Sequence, residues 1–350
     1  MSPETEAPFA QLASNMASVI GALANAGEVE IGTAPKREVY REDKLVLYRY
    51  EADPDAPRVR NQVPLLICYA LVNRPYMLDL QPDRSLIRGL LKRGVDVYLI
   101  DWGYPDGADR LLDMSDYVLR YLDHCVDVVR RESGQPSINL LGVCQGGTFS
   151  ISYAALKPER VRNLITMVTP VDFRTEDNLL TKWSETLDVD ALVGTYGNIP
   201  GALLNTMFVN LLPFRLHSQK YVQLIDSLDD PEALRNFLRM EKWIFDSPDQ
   251  PGAVFREFLT KLVKGNELIR GTLQVGGRDV NPKRITMPVL NVFARQDHLV
   301  PPSASRPLKQ LVGSRDYAEY EFNGGHIGIY VSRGAQKEIP ERIARWLQDR

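Results

Sequence analysis

The chain has 350 residues, 44% of them hydrophobic and 25% charged, an ordinary globular composition that excludes wholesale disorder and coiled coil. Its 24 glycines and 23 prolines are scattered without a period, which excludes collagen-like and solenoid repeats. A net charge of −3 leaves no basic excess to neutralise phosphates, so no nucleic-acid partner is expected.

The first residues, Met1–Glu6, are acidic and do not begin a signal peptide. Apolar stretches such as Val63–Val72 fall far short of the ~20 residues that span a bilayer, so no membrane span is expected. Cys68, Cys125 and Cys144 lie far apart, with no C-x-x-C and no zinc spacing. Free thiols, a cytoplasmic location and no metal follow as expectations.

Residues 1–35 read as an N-terminal helical segment. Phe9–Ala24 within it is either a helix covering the protein's own core or one that docks a partner. Val39–Tyr50 alternates apolar and charged residues as an antiparallel strand or hairpin does. Leu65–Tyr69 reads as a buried strand, Ser85–Arg93 as a short amphipathic helix ending at Gly94, and Val95–Asp101 as a second buried strand. Ser115 is expected to cap a helix whose apolar face includes Val118, Leu122, Cys125 and Val129, and which Gly134 ends. Ile138–Val143 is the next strand, followed at once by a helix through Leu156, then a strand at Leu164–Val168. This alternation predicts an α/β protein whose mostly parallel sheet is flanked by helices.

Between residues 172 and 285 the rhythm stops. The stretch is helical and rich in leucine and aromatic residues, and it is expected to form an inserted cap. The sheet pattern resumes at Met287–Ala294 and Tyr317–Phe322. A last helix is expected at Glu338–Leu347, with Pro340 tolerated in its first turn. The predicted organisation is therefore a core of residues 36–171 and 286–350 carrying a helical cap of residues 172–285.

The strand at Ile138–Val143 runs straight into Gly142-Val143-Cys144-Gln145-Gly146-Gly147. This has the G-x-nucleophile-x-G form of the nucleophile elbow of the α/β-hydrolase fold, with cysteine in the nucleophile position. So tight a turn demands small residues two before and two after the nucleophile. The helix that follows puts its positive end beneath the sulfur. By itself the pattern could also be a buried structural cysteine beside a glycine turn.

The fold predicts the order nucleophile, acid, histidine. Asn291–Asp297 is a strand running into a loop that carries Asp297. Phe322–Gly328 places His326 in a glycine-rich loop after another strand. Asp297 could alternatively be a loop cap or a surface carboxylate. Of the other histidines, His124 reads as a surface residue and His217 as structural. His298 follows the acid too closely to face the same point easily, and is expected at most to support the site from behind. The expected roles are Cys144 as nucleophile, His326 as base and Asp297 as its orienting acid. Backbone N–H groups of Gln145 and, in the loop after the first buried strand, Val72 are expected to form the oxyanion hole. Cys68 and Cys125 read as core cysteines.

Serine suffices for ester hydrolysis. A cysteine forms a thioester, which retains acyl-transfer potential, so a thioester donor can load it at near-equal energy and an alcohol can then discharge it to an ester. Such chemistry needs water kept out, which an apolar cap would do.

The chain resembles the polyhydroxyalkanoate synthases, most closely the catalytic subunit of the two-component class III enzymes. The resemblance rests on Val39–Tyr50, Val72–Leu80, Asp101–Gly103, Gly142–Gly147, Arg239–Gln250, Asp297-His298 and Gly324–Gly328. It spans nearly the whole chain and weakens only before about Gly27. The resemblance implies polymerisation of (R)-3-hydroxyacyl-CoA, short-chain such as 3-hydroxybutyryl-CoA, into a polyester through a thioester on Cys144. CoA would be the leaving group, and no cofactor or metal is implied. A second synthase subunit of the PhaE type, a homodimer or hetero-oligomer, a moving cap and residence on cytoplasmic polyester granules are implied as well. The competing reading is a cysteine-dependent thioesterase or esterase of the same fold, distinguished by its acceptor, water instead of a hydroxyl-ended chain.

Overall fold

The computed structural model describes residues 29–57, 63–210 and 230–350. The expected helix at Phe9–Ala24 and the cap histidine His217 lie outside the described residues.

The apolar runs form one mostly parallel sheet. Its strands are β1 (Lys36–Glu42), β2 (Leu45–Tyr50), β3 (Leu65–Cys68), β4 (Val97–Asp101), β5 (Ile138–Val143), β6 (Val161–Met167), β7 (Val289–Ala294) and β8 (Tyr317–Phe322). The spatial order is β1-β2-β4-β3-β5-β6-β7-β8. The β1–β2 and β2–β4 pairings are antiparallel and every later pairing is parallel. This is the α/β-hydrolase architecture expected from the strand–helix alternation.

Both faces of the central strands are buried, and alternate residues serve different cores. Leu66, Cys68, Tyr98, Ile100 and Leu140 face one apolar cluster. Leu65, Ile67, Val97, Leu99, Leu141 and Val143 face the other. Helix α1 (Leu86–Leu91) covers the second cluster, and helices α2 (Leu122–Ser133) and α3 (Gln145–Leu156) cover the first. Ser85 caps α1, its side chain accepting from Arg88 N. Gly134 ends α2 in the left-handed conformation.

Two local expectations are corrected. Ser115 makes no side-chain cap. The carboxylate of Asp113 instead accepts from the N–H groups of Ser115 and Asp116 at 2.7 and 3.0 Å, and a π-helical turn, Asp116–Tyr121, leads into α2. One oxygen, Asp113 Oδ1, takes both orphan donors, and the Ser115 hydroxyl is itself spent donating to it at 2.7 Å.

The last helix runs from Arg333 to Gln348 and is capped by Ser332, so Pro340 sits in its interior and not its first turn. Its ring packs against Gly89 of α1 so closely that a Cβ on Gly89 would lie 2.5 Å from Pro340 Cγ. The apolar contact between the two helices compensates the missing hydrogen bond.

Between β6 and β7 the described residues add no strand to the main sheet. It forms α4 (Leu179–Glu185), α5 (Val189–Tyr196), α6 (Gly201–Asn210), α7 (Pro231–Phe245) and α8 (Gly252–Glu257), the last continued by a π-helical turn at Phe258–Lys264. Val254, Phe255, Phe258 and Leu262 join the core cluster beneath α2 and α3. Phe258 meets the rings of Phe149 and Phe173 edge-on at centroid distances of 6.2 and 5.8 Å. Among the described residues no helix is long and apolar enough to cross a membrane.

Candidate active site

The turn at the end of β5 is built as the glycine spacing requires. Cys144 adopts φ 53° and ψ −122°, a conformation side-chain-bearing residues rarely take, at a cost on the order of 1–3 kcal/mol. The neighbours leave no room for side chains. A Cβ on Gly142 would lie 2.5 Å from Gly147 Cα, one on Gly146 2.3 Å from Cys68 O, and one on Gly147 1.8 Å from Thr169 Oγ1. Cys144 N donates to Met167 O on the neighbouring strand at 2.9 Å, and Gly147 N returns to Cys144 O at 2.9 Å. The sulfur-bearing side chain stands partly exposed at the carboxyl edge of the sheet, whereas Cys68 and Cys125 are fully buried. Burial pushes the Cys68 thiol up to about 12 and Cys125 well above its ordinary value.

The loops after β7 and β8 are zipped together by Arg295 N to Phe322 O and Gln296 N to Gly324 O, both 2.8 Å. This pairing sets Asp297 against His326. Asp297 Oδ2 is 2.7 Å from His326 Nδ1. Its other oxygen, Oδ1, accepts from the N–H groups of Leu299 and Val300, each at 2.9 Å. The carboxylate is thus a loop cap and a histidine partner at once, so the two readings of Asp297 are not alternatives.

The Cys144 side chain lies close enough to His326 to help raise the ring's pKa, and the ring meets that of Tyr330 edge-on at 6.1 Å. Burial acts to lower the pKa of the imidazole, but the Asp297 carboxylate, followed by Cys144, outweighs it and holds the ring at about 10. The structure therefore brings Cys144, Asp297 and His326 together.

The two expected oxyanion donors lie on adjoining segments. Gln145 N is in the first turn of α3, where backbone donors have no intrahelical acceptor. Val72 sits in the loop after β3. That loop is tied to the elbow by a bond from Leu71 N to Gln145 Oε1, 3.1 Å long. Sequence reasoning singled out Gln145 only for its backbone; its side chain is the link between the elbow and the second donor segment.

His298 lies half-buried on the loop beyond Asp297. His124 is 45% exposed and its Nδ1 lies 2.8 Å from Glu42 Oε2. Among the described residues no cluster of three or more His, Cys, Asp or Glu side chains is placed to hold a metal ion.

A family model described as "alpha/beta hydrolase fold" matches residues 63–332. The "Poly(3-hydroxyalkanoate) polymerase subunit PhaC" of Allochromatium vinosum is 59% identical over 328 residues, which cover 94% of this chain and 92% of that protein. Its namesake from Synechocystis is 49% identical over 335 residues, 93% of this chain and 87% of that one. The chain belongs to the poly(3-hydroxyalkanoate) polymerase family, on the α/β-hydrolase fold.

Solved structures add to the fold alone. A membrane phospholipase A, 16% identical, superposes with a TM-score of 0.52 over 98% of this chain and 93% of that one. The stretch Arg239–Gln250, one of the segments on which the family resemblance was read, is the end of α7 and the turn after it. It packs directly on the Val72 loop of the polymerase, with Trp243 Nε1 donating to Arg74 O at 2.9 Å.

Proposed function

We propose that the chain polymerises (R)-3-hydroxyacyl-CoA into polyhydroxyalkanoate by carrying the acyl group as a thioester on Cys144. Family membership makes the enzyme an acyltransferase that builds poly(3-hydroxyalkanoate). The roles of individual residues, the CoA thioester donor and the covalent step are read from the site's chemistry. The observation that carries them is the contact chain Cys144–His326–Asp297, in which a buried carboxylate holds a strongly basic ring beside a strained, partly exposed thiol.

With Nδ1 committed to Asp297, the ring turns Nε2 to the sulfur and draws the Sγ proton to itself. The thiolate attacks the thioester carbonyl, forming the C–S bond. The oxyanion takes hydrogen bonds from the backbone N–H groups of Gln145 and Val72. Collapse breaks the bond to CoA, and His326 returns the proton to the departing thiolate. In the second half His326 removes the proton from a 3-hydroxyl group, whose oxygen attacks the carbonyl of the Cys144 thioester. An ester bond forms, Cys144 leaves as thiolate, and the cycle can repeat. Asp297 steadies the imidazolium at each stage.

No metal or prosthetic group enters these steps. The class III resemblance supports short-chain substrates, a second subunit of the PhaE type, self-association and residence on polyester granules in the cytoplasm. The word "subunit" in the relatives' name agrees with a partner.

The deciding experiment incubates the purified chain, with and without a co-expressed second subunit, with (R)-3-hydroxybutyryl-CoA and follows both CoA and insoluble polymer. Polymer growing with CoA release is expected, and Cys144→Ala should abolish both. CoA release yielding only free 3-hydroxy acid would establish a thioesterase instead.

A further inference from the structure

Val72, the donor opposite the elbow, belongs to a loop that the core does not hold alone. Asn73, its neighbour, has φ 58°, a left-handed conformation. The Asn73 Nδ2 group lies within hydrogen-bond reach of three acceptors: Asn205 Oδ1 at 3.4 Å on α6, and Trp243 O and Ile244 O at 3.3 and 3.4 Å on α7. All three belong to the stretch inserted between β6 and β7. The next residue, Arg74, is gripped from both sides. Its part-buried guanidinium donates to Asp101 Oδ2 at 2.7 Å and Gly103 O at 2.8 Å, while its carbonyl accepts from Trp243 Nε1.

On the other flank of Val72, Leu71 N is bound to Gln145 Oε1, which Gln250 Nε2 approaches to 3.5 Å. Gln250 is itself pinned to Ile199 by two backbone bonds of 2.8 and 2.9 Å. One further clamp closes the seam. The carboxylate of Asp246, at the end of α7, accepts from Tyr76 OH at 2.9 Å and Tyr104 OH at 2.6 Å.

We propose that Asn73 is a positioning residue that couples the seating of α6 and α7 to the shape of the oxyanion loop, so that the Val72 N–H is aimed at the acyl carbonyl only while the cap is seated. This rests on the proposed roles of Cys144 and Val72. Acyl transfer then takes place in the cap-seated state, where water is excluded, and lifting the cap to admit substrate also disarms the site. The Asp246 clamp sets how firmly the cap is seated.

The test separates two reactions of one sulfur. Alkylation of Cys144 by iodoacetamide uses the thiol but develops no oxyanion, whereas acylation by (R)-3-hydroxybutyryl-CoA needs the hole. Asn73→Gly removes the tether and keeps the left-handed backbone accessible. Asp246→Ala loosens the seam from a position off the loop, and guards against a folding defect in the first variant. Both variants are expected to alkylate at the parental rate or faster. Their single-turnover CoA release should fall by about 10- to 100-fold, the loss appearing in kcat more than in KM. Acylation within about twofold of the parent in either variant, or alkylation falling in step with acylation, would overturn the coupling. Cys144→Ala, run alongside, tests the nucleophile separately: continued acylation there would sink the proposed function itself, whatever Asn73→Gly does.

Discussion

Asp297 and His326 stand 29 residues apart, on loops leaving different strands, yet their side chains meet at 2.7 Å in a site where the carboxylate side chain is fully buried. Only one carboxylate oxygen serves the histidine. The other is spent on the N–H groups of Leu299 and Val300. The loop therefore holds the acid's position independently of the ring.

This division of labour separates two substitutions. Asp297→Asn can keep an oxygen on the Leu299 and Val300 donors while losing the charge that steadies the imidazolium. Turnover should fall by roughly a thousandfold or more, and the unfolding midpoint should drop only by what the lost charge pair with His326 contributes. Asp297→Ala should lose the same activity and, in addition, about 1–3 kcal/mol of stability from two orphaned buried donors. Steady-state CoA release combined with urea unfolding of both variants distinguishes the effects.

The basicity of His326 has a consequence for stability. Burial alone would lower the ring's pKa, but Asp297 and Cys144 raise it from the ordinary 6.5 to about 10. The folded state therefore binds the proton more tightly than the unfolded state. This contribution is fully present below about pH 6.5 and is lost as pH rises through about 10. Urea midpoints should decline across that window, and the decline should flatten in His326→Gln. An equally steep decline in the variant would assign the pH dependence to other groups.

The elbow, the acid and the base were legible because each is demanded by local rules. Glycine two before and two after a nucleophile is a steric requirement, and Gly142 and Gly146 meet it against backbone atoms. Asp297 follows β7, whose continuous apolar run marks a strand buried on both faces, and His326 follows β8, an edge strand that mixes aromatic and acidic residues. What could not be read depends on contacts between distant segments. Whether Ser115 or Asp113 caps the turn before α2 is decided by where the loop aims its oxygens. Pro340 violates helix propensity, and only its fit against Gly89, remote in sequence, explains why it is tolerated. Asn73 and Asp246 are ordinary polar residues until the end of α7 is seen lying across the loop that carries Asn73 and Tyr76.

The glycines of the elbow should respond to alanine very differently from a glycine in open space. Gly146→Ala drives a Cβ to 2.3 Å from Cys68 O, and Gly142→Ala to 2.5 Å from Gly147 Cα, where only backbone movement could relieve the clash. Each should destabilise by at least about 1–3 kcal/mol and displace Cys144 from its working geometry. Gly194 lies within α5 with nothing within 4 Å of its would-be Cβ. Gly194→Ala should stabilise by about 0.5–1 kcal/mol through helix propensity alone. Thermal unfolding of the three variants checks the contrast, and equal destabilisation of all three would contradict it.

The three cysteines present one thiol each in three environments, and this makes the nucleophile chemically addressable. Cys144 is partly exposed beside a basic imidazole, while Cys68 and Cys125 are fully buried with their thiols held in the neutral form. Iodoacetamide added to the folded enzyme at neutral pH should modify Cys144 alone, and activity should disappear in proportion to that single modification. Prior loading with an acyl-CoA should protect the same sulfur, since a thioester has no thiolate to offer. Cys68→Ala and Cys125→Ala should label like the parent but unfold earlier, by about 1–3 kcal/mol for a small buried side chain replaced by a smaller one. Peptide mapping by mass spectrometry reads the outcome directly. Label on Cys68 or Cys125 at the rate of inactivation, with Cys144 unmodified, would move the nucleophile away from the elbow.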